Sequence, residues 1–179
     1  NVITYIKITN TSSLEKKIVK LLSNSQFLLF LRCKNIQMTF VSNNVFLANV
    51  NKKCNDNIVI LSSNGKEDSR WLTYTNPEVE VPKELNSDIK ADINTPQKLK
   101  NAKTFDLSFA IQIDNNSKIK SLDKDDAVIY TYLPTSFKFG NEGFPFLVNA
   151  NFITDAGRQQ LHKDSVWNKL IFSKIPSEY

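Results

Sequence analysis

Glycine, histidine, cysteine and long apolar runs are all scarce in this chain. Four glycines in 179 residues form no GxxxxGK[ST] loop and no GxGxxG turn, so both common glycine-rich phosphate cradles are excluded. The single histidine, His162, has no Cys or acidic cluster at ligand spacing. No nucleophile is placed with it either, so neither a zinc site nor a hydrolytic triad can be assembled. Two cysteines, Cys33 and Cys54, are too few for a disulfide framework and lack CxxC spacing. Reduced thiols in a cytoplasmic protein are therefore expected. The longest apolar stretch, residues 27–31, is far below bilayer-spanning length, and no membrane partner is expected. Asp123, Asp125 and Asp126 resemble half a calcium loop, but no Gly or terminal Glu follows at the required spacing, so a solvated acidic turn is expected.

Asparagine and lysine are abundant. The formal charge is +5, a balance compatible with a nucleic-acid partner. The lysines are dispersed, however. Lys16, Lys17 and Lys20 belong to the solvated face of one short helix, and Lys52-Lys53 and residues 98–103 lie in loop-like sequence. The chain starts without Met, directly in a strand-like run, and reads as a fragment of a longer protein.

Residues 2–8 are rich in β-branched side chains and read as a strand. Ser12 and Glu15 fit a capping box, followed by Leu14, Ile18, Leu21 and Leu22 on one helical face. Residues 26–33 read as a short buried helix. Strands are expected at 36–41, 45–50, 58–62 and 71–74, joined by Asn-rich turns that tolerate positive φ. Residues 76–103, with Pro77, Pro82 and Pro96, read as a long connection carrying a short helix near 82–85. Phe105, Leu107, Phe109, Ile111 and Ile113 alternate on one face of a half-buried strand. Residues 127–133 and 144–148 are further strands. Asp164 is the expected cap of a final helix that buries Val166, Trp167, Leu170 and Ile171 and ends at Pro176. The expected organisation is 1–76, a strand, helix and antiparallel meander; 77–103, a connecting segment; and 104–179, a strand–loop–helix unit. The fold class is α+β, a mainly antiparallel sheet with a few helices on one face, in one unit or two subdomains.

Within residues 133–170 the elements LPT, GFPFLVNANF, a lone Arg and DSVWNKL follow in that order. A polar loop, 151–160, sits between an apolar strand and a helix, a common place for function. Arg158 offers a fixed charge and a fork of donors suited to phosphate oxygens. Gln159 and Gln160 add neutral donors, and Gly157 would let backbone approach a ligand. The plainer alternative pairs Arg158 with a surface carboxylate such as Asp155. Asn149 and Asn151 either line the same loop or serve turn chemistry at a strand end.

The order of these elements, clearest over residues 127–175, resembles the region after the nucleotide-binding domain in sacsin-type members of the Hsp90-like (GHKL) ATPase family. A weaker echo lies in residues 2–8 and in Leu28-Leu29-Phe30-Leu31-Arg32. The resemblance implies a middle or transducer-like module, with a chaperone-like or conformational-switch role and a protein client. It implies that Arg158 reaches the γ-phosphate of a nucleotide held by an ATP-binding domain of the same parent chain, with Asn151, Gly157, Gln159 and Gln160 in the sensing loop. The motifs that hold Mg and ATP are missing from this chain, so the cofactor is implied for the parent protein only, and the isolated chain is expected to be catalytically silent. The alternative is a basic nucleic-acid- or protein-binding module without nucleotide linkage.

Overall fold

A computed structural model describes residues 11–42, 45–138 and 143–179. The strand expected at residues 2–8 and the turn at Asn43-Asn44 lie outside them. Helix α1 (Thr11–Leu22) is followed by a 3-10 turn (Ser25–Leu28). The strands are β1 (Asn35–Ser42), β2 (Val45–Asn55), β3 (Ile58–Ser63), β4 (Lys66–Glu80), β5 (Thr104–Ile113), β6 (Ile129–Thr131), β7 (Leu133–Pro134) and β8 (Leu147–Ala150). Helix α2 (Asn86–Ala91) lies between β4 and β5, and α3 (Val166–Glu178) closes the chain. The eight strands form one sheet in the order β1-β2-β3-β4-β5-β8-β6-β7. Every neighbouring pair is antiparallel except β6 and β8. The α+β class is as expected.

Local sequence explains most of the sheet. Asn64 and Gly65 have φ of 49° and 79°, the backbone that a two-residue hairpin between twisted strands demands. β4 is longer than the expected 71–74 segment and runs through Pro77. Proline has no N–H for the ladder, and the register shifts between Asn76 and Val79 to leave it in a bulge. Asn76 spans this bulge. Its Oδ1 accepts from Glu78 N at 3.0 Å and its Nδ2 donates to Glu178 at 2.8 Å. The expected 127–133 strand is broken at Tyr132, whose φ of 65° reverses the chain between β6 and β7. α1 starts at Thr11, which places Ser12 inside the helix rather than at its cap. The Glu15 carboxylate accepts from Ser42 Oγ on β1.

Two apolar clusters occupy opposite faces of the sheet. On one, Leu22, Leu28 and Leu29 of the α1 region cover Ala48, Val50, Val59, Leu61 and Trp71, together with Ala110, Tyr130 and Leu147. On the other, Trp167, Leu170, Ile171 and Ile175 of α3 cover Phe105, Leu107, Phe109, Ile129 and Val148. The helices are thus shared between the faces, α1 on one and α3 on the other, where the sequence pattern suggested one. β5 contributes to both clusters: Phe105, Leu107 and Phe109 point one way and Ala110 the other. Each large apolar side chain fully buried here stabilises by about 1.5–3 kcal/mol before conformational entropy is charged against it. Phe105 and Trp167 meet edge to face at 5.6 Å.

The connection from Val81 to β5 packs onto the α3 side. Val81 and Ile89 are buried in that cluster, and Val81 N donates to Lys103 O at 2.9 Å. Pro176 does not stop α3. It sits in the last turn, where Tyr179 N donates to Ile175 O. Among the described residues no helix is long and apolar enough to cross a membrane.

Candidate functional site

The polar loop after β8 is a closed structure. A bridge between Thr154 and Leu161 shuts its base. Inside it, Arg158 N donates to Asp155 O at 3.1 Å and Asp155 N to Gln160 O at 3.0 Å. The Asp155 carboxylate accepts from Gln159 N at 2.8 Å, a local side-chain turn of the kind Asp favours. Arg158 carries the left-handed backbone, at φ 56°. Gly157 does not, and a Cβ there would meet its nearest neighbour at an ordinary 3.6 Å. The strained backbone of the loop thus falls on Arg158, beside Gly157.

Helix α3 holds this loop at its root. Trp167 Nε1 donates to Asn151 O at 2.9 Å. Asn168, completely buried, accepts from Ile153 N at 2.8 Å and donates to Ile153 O at 2.8 Å and His162 O at 3.0 Å. One side-chain amide thus satisfies backbone groups on both sides of the loop. The α3 N-terminus is held by a distant residue. Val166 N donates to Asp92 Oδ2 at 3.0 Å, and Ser165, not Asp164, is the first flanking residue. Asp164 instead lies 4.0 Å from Lys169.

Burial acts to raise the Asp92 pKa, but the Asn94 amide, the Thr95 hydroxyl and the Val166 amide together hold it below the ordinary value. The folded pKa is depressed. Its stabilisation is therefore complete above the unfolded value of about 3.9 and disappears as pH falls through the lower folded value. Asp92→Ala should cost about 1–2 kcal/mol at neutral pH, by loss of the cap. In urea unfolding, the gap between wild type and variant should close on acidification; a gap that persists in acid would contradict the assignment.

The residues singled out in the sequence do not converge on one pocket. The Arg158 guanidinium turns towards β6, where Nη1 donates to Thr131 O at 3.0 Å and to Thr131 Oγ1 at 2.9 Å. Both acceptors are neutral. Among the described residues no carboxylate forms an ion pair with Arg158, and the alternative pairing with Asp155 is not made. Gln159 and Gln160 are exposed. Gln160 lines a depression with His162, Lys163 and Phe137. Asn151 lines a separate one with Arg32, Lys98 and Tyr132. Asn149 is buried in β8, and its Oδ1 accepts from Tyr132 N at 2.6 Å.

A cavity of about 210 Å³ lies where the chain after the 3-10 turn crosses the sheet. Its walls include Lys52, Thr75, Asp106, Ser108, Tyr132 and Asn149, with Arg32 beside them. Lys52 is only 5% exposed. Its Nζ donates to Leu29 O at 2.7 Å and to Leu31 O at 2.6 Å, and burial lowers its pKa. Arg32 donates to Tyr132 Oη at 3.1 Å and to Asp106 at 3.3 Å. The sequence suggests a loop at Lys52, but the residue lies in β2. The period of two along β2, which puts Ala48, Val50, Lys52 and Cys54 on one face, was the signal that places it against the core.

Comparison with known proteins finds no family model that matches the chain, and no curated protein or solved structure that matches it at a significant level.

Proposed function

We propose that this chain is a transducer-like module that presents Arg158 to the phosphate of a nucleotide held by an ATP-binding domain of the same parent polypeptide. The observation that carries the reading is the state of the Arg158 charge. It stands on an exposed loop, without a carboxylate partner among the described residues, held only by a carbonyl and a hydroxyl of Thr131. Neutral acceptors orient the guanidinium without neutralising it. A phosphate is the kind of group that would complete it, through charge-assisted, forked hydrogen bonds. The loop is rooted by Trp167 and Asn168, so displacement of Arg158 on contact would be felt by α3 and the sheet below it. That is the path by which nucleotide state would be relayed to the parent protein and any client. Asn151 belongs to this path through its carbonyl, which Trp167 holds. Gln159 and Gln160 follow Arg158 in the same loop as exposed side chains. A cytoplasmic setting belongs to the same reading, with Cys33 and Cys54 as free thiols.

A nucleic-acid role has less support. Arg32, Arg70, Lys138 and Lys169 each lie by a carboxylate, which breaks up the basic surface that a phosphate backbone needs.

The test is association in trans between this chain and the ATP-binding domain proposed for the parent polypeptide. Binding should be tighter with a non-hydrolysable ATP analogue than with ADP, and Arg158→Ala should erase the difference. Absence of such a domain upstream, or association indifferent to the γ-phosphate, would overturn the proposal.

A further inference from the structure

The cavity beside Lys52 has more hydrogen-bond donors than the protein has acceptors for. Thr75, Ser108 and Asn149 stand side by side on β4, β5 and β8, in directly opposed register, about 4.8 Å from strand to strand. The same face of the sheet carries the apolar Trp71, Ala110 and Leu147. Thr75 is exposed, but Ser108 and Asn149 are buried, and burying polar groups without partners is costly.

The inventory of protons shows what is left over. Asn149 is 3% exposed, and Tyr132 N donates to its Oδ1. That bond fixes the amide orientation, so the Nδ2 group is the end that remains, and it has no acceptor among the described residues. Thr75 Oγ1 donates to Ser108 Oγ at 3.0 Å. Two hydroxyls sharing one bond leave one further proton to donate. Lys52 has three N–H donors and gives two of them to the Leu29 and Leu31 carbonyls. It is a buried cation with no carboxylate partner among the described residues, a costly state when uncompensated. The Asp106 carboxylate on the wall is already engaged by Arg32.

We infer that this cavity is a binding site for a small oxyanion, a carboxylate- or phosphate-sized group, held by Asn149 Nδ2, the Ser108 hydroxyl and Lys52, with Arg32 at its mouth. Three donor groups of different chemistry face one space from three strands, and an oxyanion is the ligand that accepts from all of them at once. The site is distinct from Arg158, which does not line the cavity.

The experiment is titration of the chain with inorganic phosphate and, separately, with acetate, read by the NMR shifts of the Asn149 side-chain amide and by thermal stabilisation. One or both anions should saturate in the millimolar range or below, and the preferred arm identifies the ligand as phosphate-like or carboxylate-like. Asn149→Asp keeps the acceptor for Tyr132 N but replaces the donors with a negative charge. It should weaken binding by about tenfold or more. Ser108→Ala should weaken it severalfold, and serves alone if the first variant does not fold. Binding that survives both variants, or that is lost only in Arg158→Ala, would overturn the inference. So would failure of both anions to saturate.

Discussion

Replacing Asn168 by Ala should lower the stability of this chain by about 2–4 kcal/mol, one of the largest single-residue losses expected here. The physical reason is that Asn168 is completely buried and makes three hydrogen bonds, to Ile153 N, Ile153 O and His162 O. Truncation leaves Ile153 N without a partner in a place water does not reach readily, at about 1–3 kcal/mol, while Ile153 O keeps the His162 amide and His162 O keeps the Ser165 amide. It also opens a void between α3 and the loop. Asn168→Leu should not rescue, because volume is restored but the Ile153 amide stays unsatisfied. Urea unfolding measures the loss, and amide exchange at Ile153 should accelerate in the same variant. A loss below about 1 kcal/mol, the net value of one ordinary hydrogen bond, would mean that Asn168 does not brace the loop.

This brace shows which parts of the fold were legible in the sequence. β1, β2 and β3 were readable because apolar alternation is interrupted by Asn-rich turns, and Asn64-Gly65 sits at one of them with the backbone such turns require. The extension of β4 was not, because Pro77 looks like a stop until a bulge removes its need for an N–H. The loop around Arg158 was recognisable as a polar segment between apolar elements. Its conformation was not, since the left-handed residue is Arg158 and not the glycine before it. Asp164 looked like the helix cap because it is nearby in sequence. The true acceptor, Asp92, is supplied from across the fold. Long-range contacts of this kind leave no local pattern. Asn168 did leave one, an amide among Trp167, Leu170 and Ile171 on the buried side of a helix, where a polar residue must have partners.

The second large effect concerns Arg158. Under the proposed function, in which the parent polypeptide carries an ATP-binding domain, Arg158→Ala in that polypeptide should lower kcat for ATP hydrolysis by about 100- to 1,000-fold, the usual consequence of removing one preorganised charge stabiliser. The effect should fall on kcat more than on KM, because phosphoryl transfer spreads charge that a guanidinium meets best in the transition state. Arg158→Lys should recover only part of the loss, since an ammonium has no planar fork. Folding should hardly change in either variant. The side chain is exposed, and the two bonds to Thr131 are all that its removal forfeits. Stability and turnover therefore separate a phosphate contact from a structural clip.

The most direct test is accordingly the steady-state ATP turnover of that longer polypeptide, wild type against Arg158→Ala, at saturating ATP and with matched thermal stability. A drop in kcat of about 100-fold or more is the result predicted here; equal turnover in the two proteins would contradict the central claim.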